Sequence, residues 1–321
     1  MRMRKITFPK FTSEIEFHET FRTEKACIAF LEKELWPNGP VSPYDKTSKV
    51  YRRSDGTYRC KNTGKNFNVK VGTIFENTKL SLRIWFTAIY HMCNETKGIS
   101  SMQLMKNLHV TKKTAWFLSH RIRECYDIPL EDKFDGEVEI DETFVGGKNK
   151  NRHWNKKTKN VQNRLFRDKV PVMGLMRRGS DKSASRVYCK ALNGVSWRDL
   201  TPVVFRNVKT SATIYSDEWK GYKYIHKVYE SHVVDHGHGK YVDGDAYTNT
   251  IEGFWGNYCK RPIIGLFNFL SRKHIQRYFN EFAFRHNNSK VSNYERFDMA
   301  ILNCRHRLTY KDLVNGNKKA A

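Results

Sequence analysis

Between residues 135 and 217 short apolar runs alternate with one helical stretch, and two of those runs close on an aspartate. The segments 137–145, 170–178, 185–192 and 212–217 read as strands, and 197–207 reads as a helix. Strands interrupted by helices dictate an α/β fold with a sheet covered by helices. Val138 to Asp141 and Ala212 to Asp217 are the runs that end on the acids. In open α/β sheets, ligand sites gather at strand ends. A third acid, Glu252, falls one turn into a helix predicted to stop near Arg261, because Pro262 cannot continue it. A further helix over 271–287 places Ile275, Tyr278, Phe279, Phe282 and His286 on one face.

Each acid also has an ordinary use. Aspartates at strand ends cap turns. Asn249-Thr250-Ile251-Glu252 matches a capping box, with Asn249 as N-cap and Glu252 reaching back from the third position. Asn249 and Glu252 are three apart and share a face, so either could meet a cation. Capping and metal binding both remain open at this position. Hard divalent cations prefer carboxylate oxygens, and a pair of them can activate one oxygen of a phosphodiester reaction and stabilise another.

The charge balance selects the partner class. Lys and Arg number 58 against 33 acidic residues, a formal charge of +25. An excess of that size calls for a polyanion, and 13% aromatic residues mark a folded protein and not a basic tail. Lys260 lies two turns beyond Glu252, where it could hold the phosphate of a DNA end; alternatively Lys260 and Arg261 complement the helix dipole. The insertion Lys148 to Lys169 is basic and has no clear period, so it is a phosphate-contacting loop or a solvated charge run. His232, His236 and His238 have no zinc-ligand spacing, and 236–239 reads as a mobile loop. No apolar run approaches the roughly 18 residues of a membrane span, and the N-terminus has no signal-peptide pattern. Seven scattered cysteines without a Cys-x-x-Cys pair indicate reduced thiols in a cytoplasmic protein.

The N-terminal part divides in two. Phe21 to Trp36 has helical spacing and ends at Pro37-Asn38-Gly39-Pro40; short hairpin strands follow near 49–51, 57–60 and 66–69. From 76 to 128 the pattern is helical, with Leu80, Leu82, Trp85, Ala88, Ile89 and Met92 in one stripe. Two short helices joined by a tight turn fit a helix-turn-helix, with Thr111, Lys112, Lys113 and Arg121 as DNA contacts; plain three-helix packing is the alternative.

Six motifs occur in order: Trp36 to Pro40, Val71 to Glu76, EIDETFVGGK, YSDEWKGY, TNTIEGFWGNYCKRPIIG and RYFNEFAFRHN. Together, from about residue 20 to 300, the chain resembles bacterial insertion-sequence transposases of the DDE class with an ISXO2-like catalytic domain, related to the Merlin elements. The resemblance implies an RNase H-like catalytic domain, a central mixed sheet flanked by helices, preceded by a zinc-ribbon-like unit and a helix-turn-helix. It implies cleavage and joining of transposon ends with Mg²⁺ or Mn²⁺, two ions per site. Asp141 and Asp217 match the catalytic aspartates and Glu252 the third acid, with Asp141 bridging both ions. Asn249 is a secondary candidate, and Lys260 and Arg261 match the basic residues that follow. The partners implied are double-stranded DNA at transposon ends and target, and further copies of the chain in an end-paired complex; no membrane is expected. The expected domains are 1–75, 76–128, 135–305 and a basic tail at 306–321. Relatives carry two Cys-x-x-Cys pairs where this chain has Ser42, Asp45, Cys60 and Thr63. A zinc-free, degenerate ribbon is therefore expected, packed through Tyr51, Tyr58 and Phe67.

Overall fold

The computed structural model describes residues 8–147, 153–157, 169–180, 183–234 and 248–315. By contact the chain forms two units, Met1–Asp127 with Lys290–Ala321, and Ile128–Ser289.

The first unit opens with α1 (Glu14–Thr20) and α2 (Glu24–Leu35). The Ser13 and Thr23 hydroxyls accept from the first free N–H groups of these helices. Strands β1 (Val50–Arg52), β2 (Tyr58–Cys60) and β3 (Asn66–Phe67) form an antiparallel sheet in that order. Tyr58, Cys60 and Phe67 are its core, with Trp36, Val50 and Val71 against them. Tyr51 does not join this packing: it is 52% exposed, because neighbouring strand residues point to opposite faces.

The four positions expected to hold zinc ligands carry two hydroxyls, Ser42 and Thr63, the Asp45 carboxylate and one thiol, Cys60. Burial raises the Cys60 thiol, but hydrogen bonds with Ser42, Ser48 and Thr63 outweigh it and hold the pKa at about 6. The Asp45 carboxylate accepts from Thr47 and from Asn62 Nδ2. One thiol among hydroxyls and an engaged carboxylate is not a tetrahedral zinc donor set.

Three helices follow, α3 (Leu82–Asn94), α4 (Ser101–Leu108) and α5 (Lys112–Arg123), with N-caps Ser81, Ser100 and Thr111. Only His109, in the left-handed region at φ 49°, Val110 and the Thr111 cap separate α4 from α5. Lys112 and Lys113 are exposed on the first turn of α5. Arg121 is not on that surface. Its guanidinium is buried, donates to the Glu76 carbonyl at 2.9 Å and faces the Trp85 and Phe117 rings. Burial lowers its pKa to about 10. The helical period turns this side chain into the core, where it packs and does not meet solvent.

The second unit is built on β4 (Glu137–Val145), β5 (Val170–Arg177), β6 (Arg186–Ala191), β7 (Thr213–Asp217) and β8 (Glu230–Val234). The sheet order is β6-β5-β4-β7-β8, antiparallel through β6, β5 and β4 and parallel from β4 to β8. Helix α6 (Trp197–Asn207), started by a Ser196–Asp199 capping box, packs Leu200 and Val204 against Val138, Ile140 and Ile214 on one face. Helices α7 (Asn249–Phe254) and α8 (Ile275–Asn287) cover the other, burying Ile251, Phe254, Phe279 and Phe282 against Val172, Met176 and Val187. This mixed α/β arrangement is compatible with an RNase H-like domain.

Helices α9 (Asn293–Leu302) and α10 (Tyr310–Asn315) belong by contact to the first unit. The sequence reading carried the strand-rich region on to 305, yet the units divide at 289. Phe297 explains the difference, since its ring lies 5.3–6.0 Å from those of Phe11, Phe17, Phe21, Phe30 and Phe86. Part of the expected basic tail is thus helical, with Leu313 buried, and 316–321 lie outside the described residues.

Candidate active site

Strand β4 does not end at Asp141; it continues to Val145 because β5 pairs along its whole length. Strand β7 stops at Asp217. In the parallel β4–β7 ladder, Glu137, Val138 and Glu139 face Thr213, Ile214 and Tyr215. Asp141 and Asp217 each lie two residues beyond the last pair, Glu139 and Tyr215, and alternation puts them on the same face of the sheet. Asp141 is thus inside its strand and Asp217 at the end of the neighbouring one.

The Asp141 carboxylate is held on both oxygens. Oδ1 accepts from the Glu142 N–H at 2.7 Å and Oδ2 from the Trp255 indole N–H at 2.9 Å. Burial raises its pKa to about 6, and the nearby charges of Asp217 and Glu252 push the same way against those two hydrogen bonds. Asp217 Oδ1 accepts from the Trp219 N–H at 3.1 Å.

Glu252 reaches this neighbourhood by an unexpected route. Asn249 is not the N-cap of α7. Thr248 is, with no side-chain cap bond to the helix, so Asn249 becomes its first residue. The Glu252 carboxylate instead accepts from Thr248 Oγ1 at 3.0 Å. The helix start is capped from the sheet: Glu139, completely buried, accepts the Ile251 N–H at 2.8 Å. Glu139 also binds Arg178 Nε at 2.8 Å, while Arg178 reaches Glu137 at 3.0 Å and stacks over the Tyr215 ring. A carboxylate at a helix N-terminus completes free N–H groups and meets the positive end of the dipole.

The helix also does not stop at Pro262. Its backbone continues through π-type turns at Trp255–Lys260 and Ile263–Phe267, with Pro262 in helical conformation. The wider turns make room for a ring that would clash in a regular α-helix. Trp255 lies across β5 at Gly174, which pairs with Asp141. A Cβ on Gly174 would come within 2.5 Å of the indole. Gly174→Ala is therefore expected to displace Trp255, break its bond to Asp141 and cost about 1–3 kcal/mol, read by urea unfolding followed through tryptophan fluorescence.

On the other face, the Tyr222 hydroxyl donates to Glu142 at 2.7 Å. Burial lifts the Glu142 carboxyl to about 8, opposed by the Tyr222 bond and assisted by the charges of Asp141 and Asp217. His226 shares a hydrogen bond with Ser216 at 2.9 Å, and burial lowers its pKa against the pull of Asp217.

Carboxylate oxygens are the donors a hard divalent ion takes. Among the described residues, no three His, Cys, Asp or Glu side chains are gathered tightly enough to hold an ion as they stand. Asp141 and Asp217 lie on one face of adjacent strands, and Glu252 Oε1 accepts from Thr248. Lys260 and Arg261 are exposed beyond Glu252. His232 is on β8, stacked on Tyr215 at 5.1 Å. His236, His238, Lys148 and most of the basic insertion lie outside the described residues.

Sequence reasoning passed over Glu139, Glu142, Gly174, Tyr222 and Trp255. Acids at 137, 139 and 141 share one face of a strand, a signal that could have exposed Glu139. The others depend on contacts between segments far apart in the chain.

The α/β domain thus carries Asp141 and Asp217 on two strands of its sheet and Glu252 on the helix over it. Residues 133–287 match the ISXO2-like transposase domain. An uncharacterized protein in transposable element ISH50 of Halobacterium salinarum is 30% identical over 248 residues, covering 73% of this chain and 81% of that protein. An uncharacterized transposase-like protein of Haemophilus influenzae is 27% identical over 106 residues, 33% of this chain and 85% of that protein. The chain belongs to the DDE-class insertion-sequence transposases with an ISXO2-like domain. Among the described residues, no helix is long and apolar enough to cross a membrane.

Proposed function

We propose that this transposase cuts and joins DNA strands at an RNase H-like site formed by Asp141, Asp217 and Glu252. The observation that carries the reading is that Asp141 lies near enough to both Asp217 and Glu252 for their charges to raise its pKa, on neighbouring parallel strands and the helix over them. Mg²⁺ or Mn²⁺ held by these three carboxylates would supply an activated oxygen nucleophile and neutralise charge on the leaving oxygen. Oxygen donors fit such ions.

The chain's own groups do the positioning. The Trp255 indole and the Glu142 N–H fix both oxygens of Asp141 against rotation. With its pKa near 6, Asp141 loses its proton just below neutrality, which makes the site ready for cations around pH 7. Glu139 holds the first turn of α7 to the sheet and so aims Glu252. Lys260 and Arg261 sit where they would bind phosphates of the same strand.

Sequence-specific binding of the terminal inverted repeats is assigned to the first unit. The three-residue connection between α4 and α5, with Lys112 and Lys113 on the first turn of α5, supports a helix-turn-helix there. The three-stranded module is read as a zinc-free ribbon. Two or more copies would pair the two ends.

The test uses supercoiled plasmid carrying the sequences that flank this reading frame. Nicking at the inverted repeats is expected with Mg²⁺ and not with EDTA. Binding should weaken by a thousandfold or more, roughly, between 50 and 200 mM salt, as six or more phosphate contacts require. Metal-independent nicking, or an affinity indifferent to salt, would refute the assignment.

A further inference from the structure

The segment beyond Lys260 presents large apolar side chains to solvent amid cations. Ile264 is 75% exposed and Phe269 71% exposed. Lys260, Arg261, Arg272 and Lys273 flank them and are exposed too. Neighbouring apolar residues of the same stretch behave differently: Cys259, Leu270 and Ile275 are buried in the core under the sheet. The exposure of Ile264 and Phe269 is therefore selective.

Local geometry maintains it. Ile264 belongs to the π-type turn Ile263–Phe267, and a Cβ on the adjacent Gly265 would meet nothing within 4 Å. At the end of that turn, Asn268 adopts φ 59° and ψ −40°, and the Phe269 N–H donates to the Phe267 carbonyl at 2.6 Å. That is a tight γ-turn of the strained kind. Two residues with a strong tendency to bury are thus carried outward on a segment rich in positive charge.

We propose that Ile264 and Phe269 are an apolar wedge that stacks on unpaired bases of a DNA strand whose phosphates lie on Lys260, Arg261 and Arg272. The inference rests on the reading of DNA as substrate and adds the state of that DNA, locally unstacked, together with the residues that hold it so. Charge decides the occupant: an apolar protein partner would gain nothing from the surrounding cations, whereas a nucleic acid offers phosphates to them and base faces to the wedge. Proteins that open or kink DNA insert Ile or Phe between bases in this way, and base–aromatic contacts tolerate any sequence.

The experiment compares full-length wild type, Phe269→Ser, Ile264→Ser and Phe269→Trp. Each is titrated into fluorescein-labelled single-stranded dT30 and into a 30-base-pair duplex, with sedimentation velocity run on every variant. Loss of one stacking side chain should weaken single-strand binding about tenfold and duplex binding much less, with Phe269→Trp close to wild type. The substituted residues are exposed, and thermal unfolding of each variant is expected to match wild type. If wild type binds both probes and the serine variants do so equally well, the wedge is wrong while the DNA reading stands. If wild type binds neither probe, the DNA reading itself fails and takes the wedge with it. If the serine variants change the oligomeric state and leave single-strand affinity alone, the patch is an interface between copies and the proposal is overturned.

Discussion

Asp141→Asn should abolish strand cleavage, lowering it by at least about 10³-fold, while leaving end-binding close to wild type. The substitution keeps the size of the side chain and one carbonyl oxygen able to accept from Trp255 or from the Glu142 N–H. It removes the negative charge at the centre of the carboxylate group. Stabilising charge on a phosphoryl oxygen through a bound cation is worth several kcal/mol, and each 1.36 kcal/mol is tenfold in rate. On the proposed reading DNA affinity comes from the basic surface and not from this acid, so an electrophoretic shift with labelled ends should be nearly unchanged. A labelled transposon end still cut at the wild-type rate by the asparagine variant would remove Asp141 from the chemistry.

The second large effect is on stability. Glu139→Ala is expected to destabilise the protein by about 3–5 kcal/mol, the usual cost of removing one member of a buried ion pair. Arg178, itself 9% exposed, would be left with Glu137 and the Tyr215 ring. The Ile251 N–H would lose its acceptor at the start of α7. Glu139→Gln should lose less, because its amide oxygen can still accept from Ile251. Urea midpoints for the three proteins test the ranking. Since α7 carries both Glu252 and the approach to Trp255, the alanine variant should also lose cleavage in assays well below its unfolding midpoint. Equal midpoints for Glu139→Ala and wild type would show that the ion pair merely balances its own desolvation.

How much of this could be read from the chain depends on the range of the forces involved. The strand at 137–145 and the helix at 197–207 coincide with β4 and α6, since apolar periodicity and a Ser196–Asp199 cap are local properties. The strand β8 went unread because ESHVV is short and only its last residue is fully buried. The start of α7 is ambiguous in the sequence for a related reason. The motif Asn249 to Glu252 offers a local box, but a buried carboxylate two strand positions before Asp141 competes for the same N–H groups and wins. Pro262 was read as a stop because a regular helix cannot hold it, and nothing local announces π-type turns. Arg121 looked like a DNA contact until its helix face was known.

Properties that a few adjacent residues decide are therefore legible in one dimension: the basic balance, most strands and helices, and the ordered motifs of the family. What packing alone decided is which acids meet. Asp141 and Asp217 share a face because β4 and β7 pair in parallel through Glu139 and Tyr215, and a slip of one residue would put them on opposite faces. Trp255 touches Asp141 only because Gly174, on the next strand, has no side chain to keep the indole away. Such contacts follow from excluded volume and hydrogen bonding between distant segments, and no short stretch of chain contains both partners.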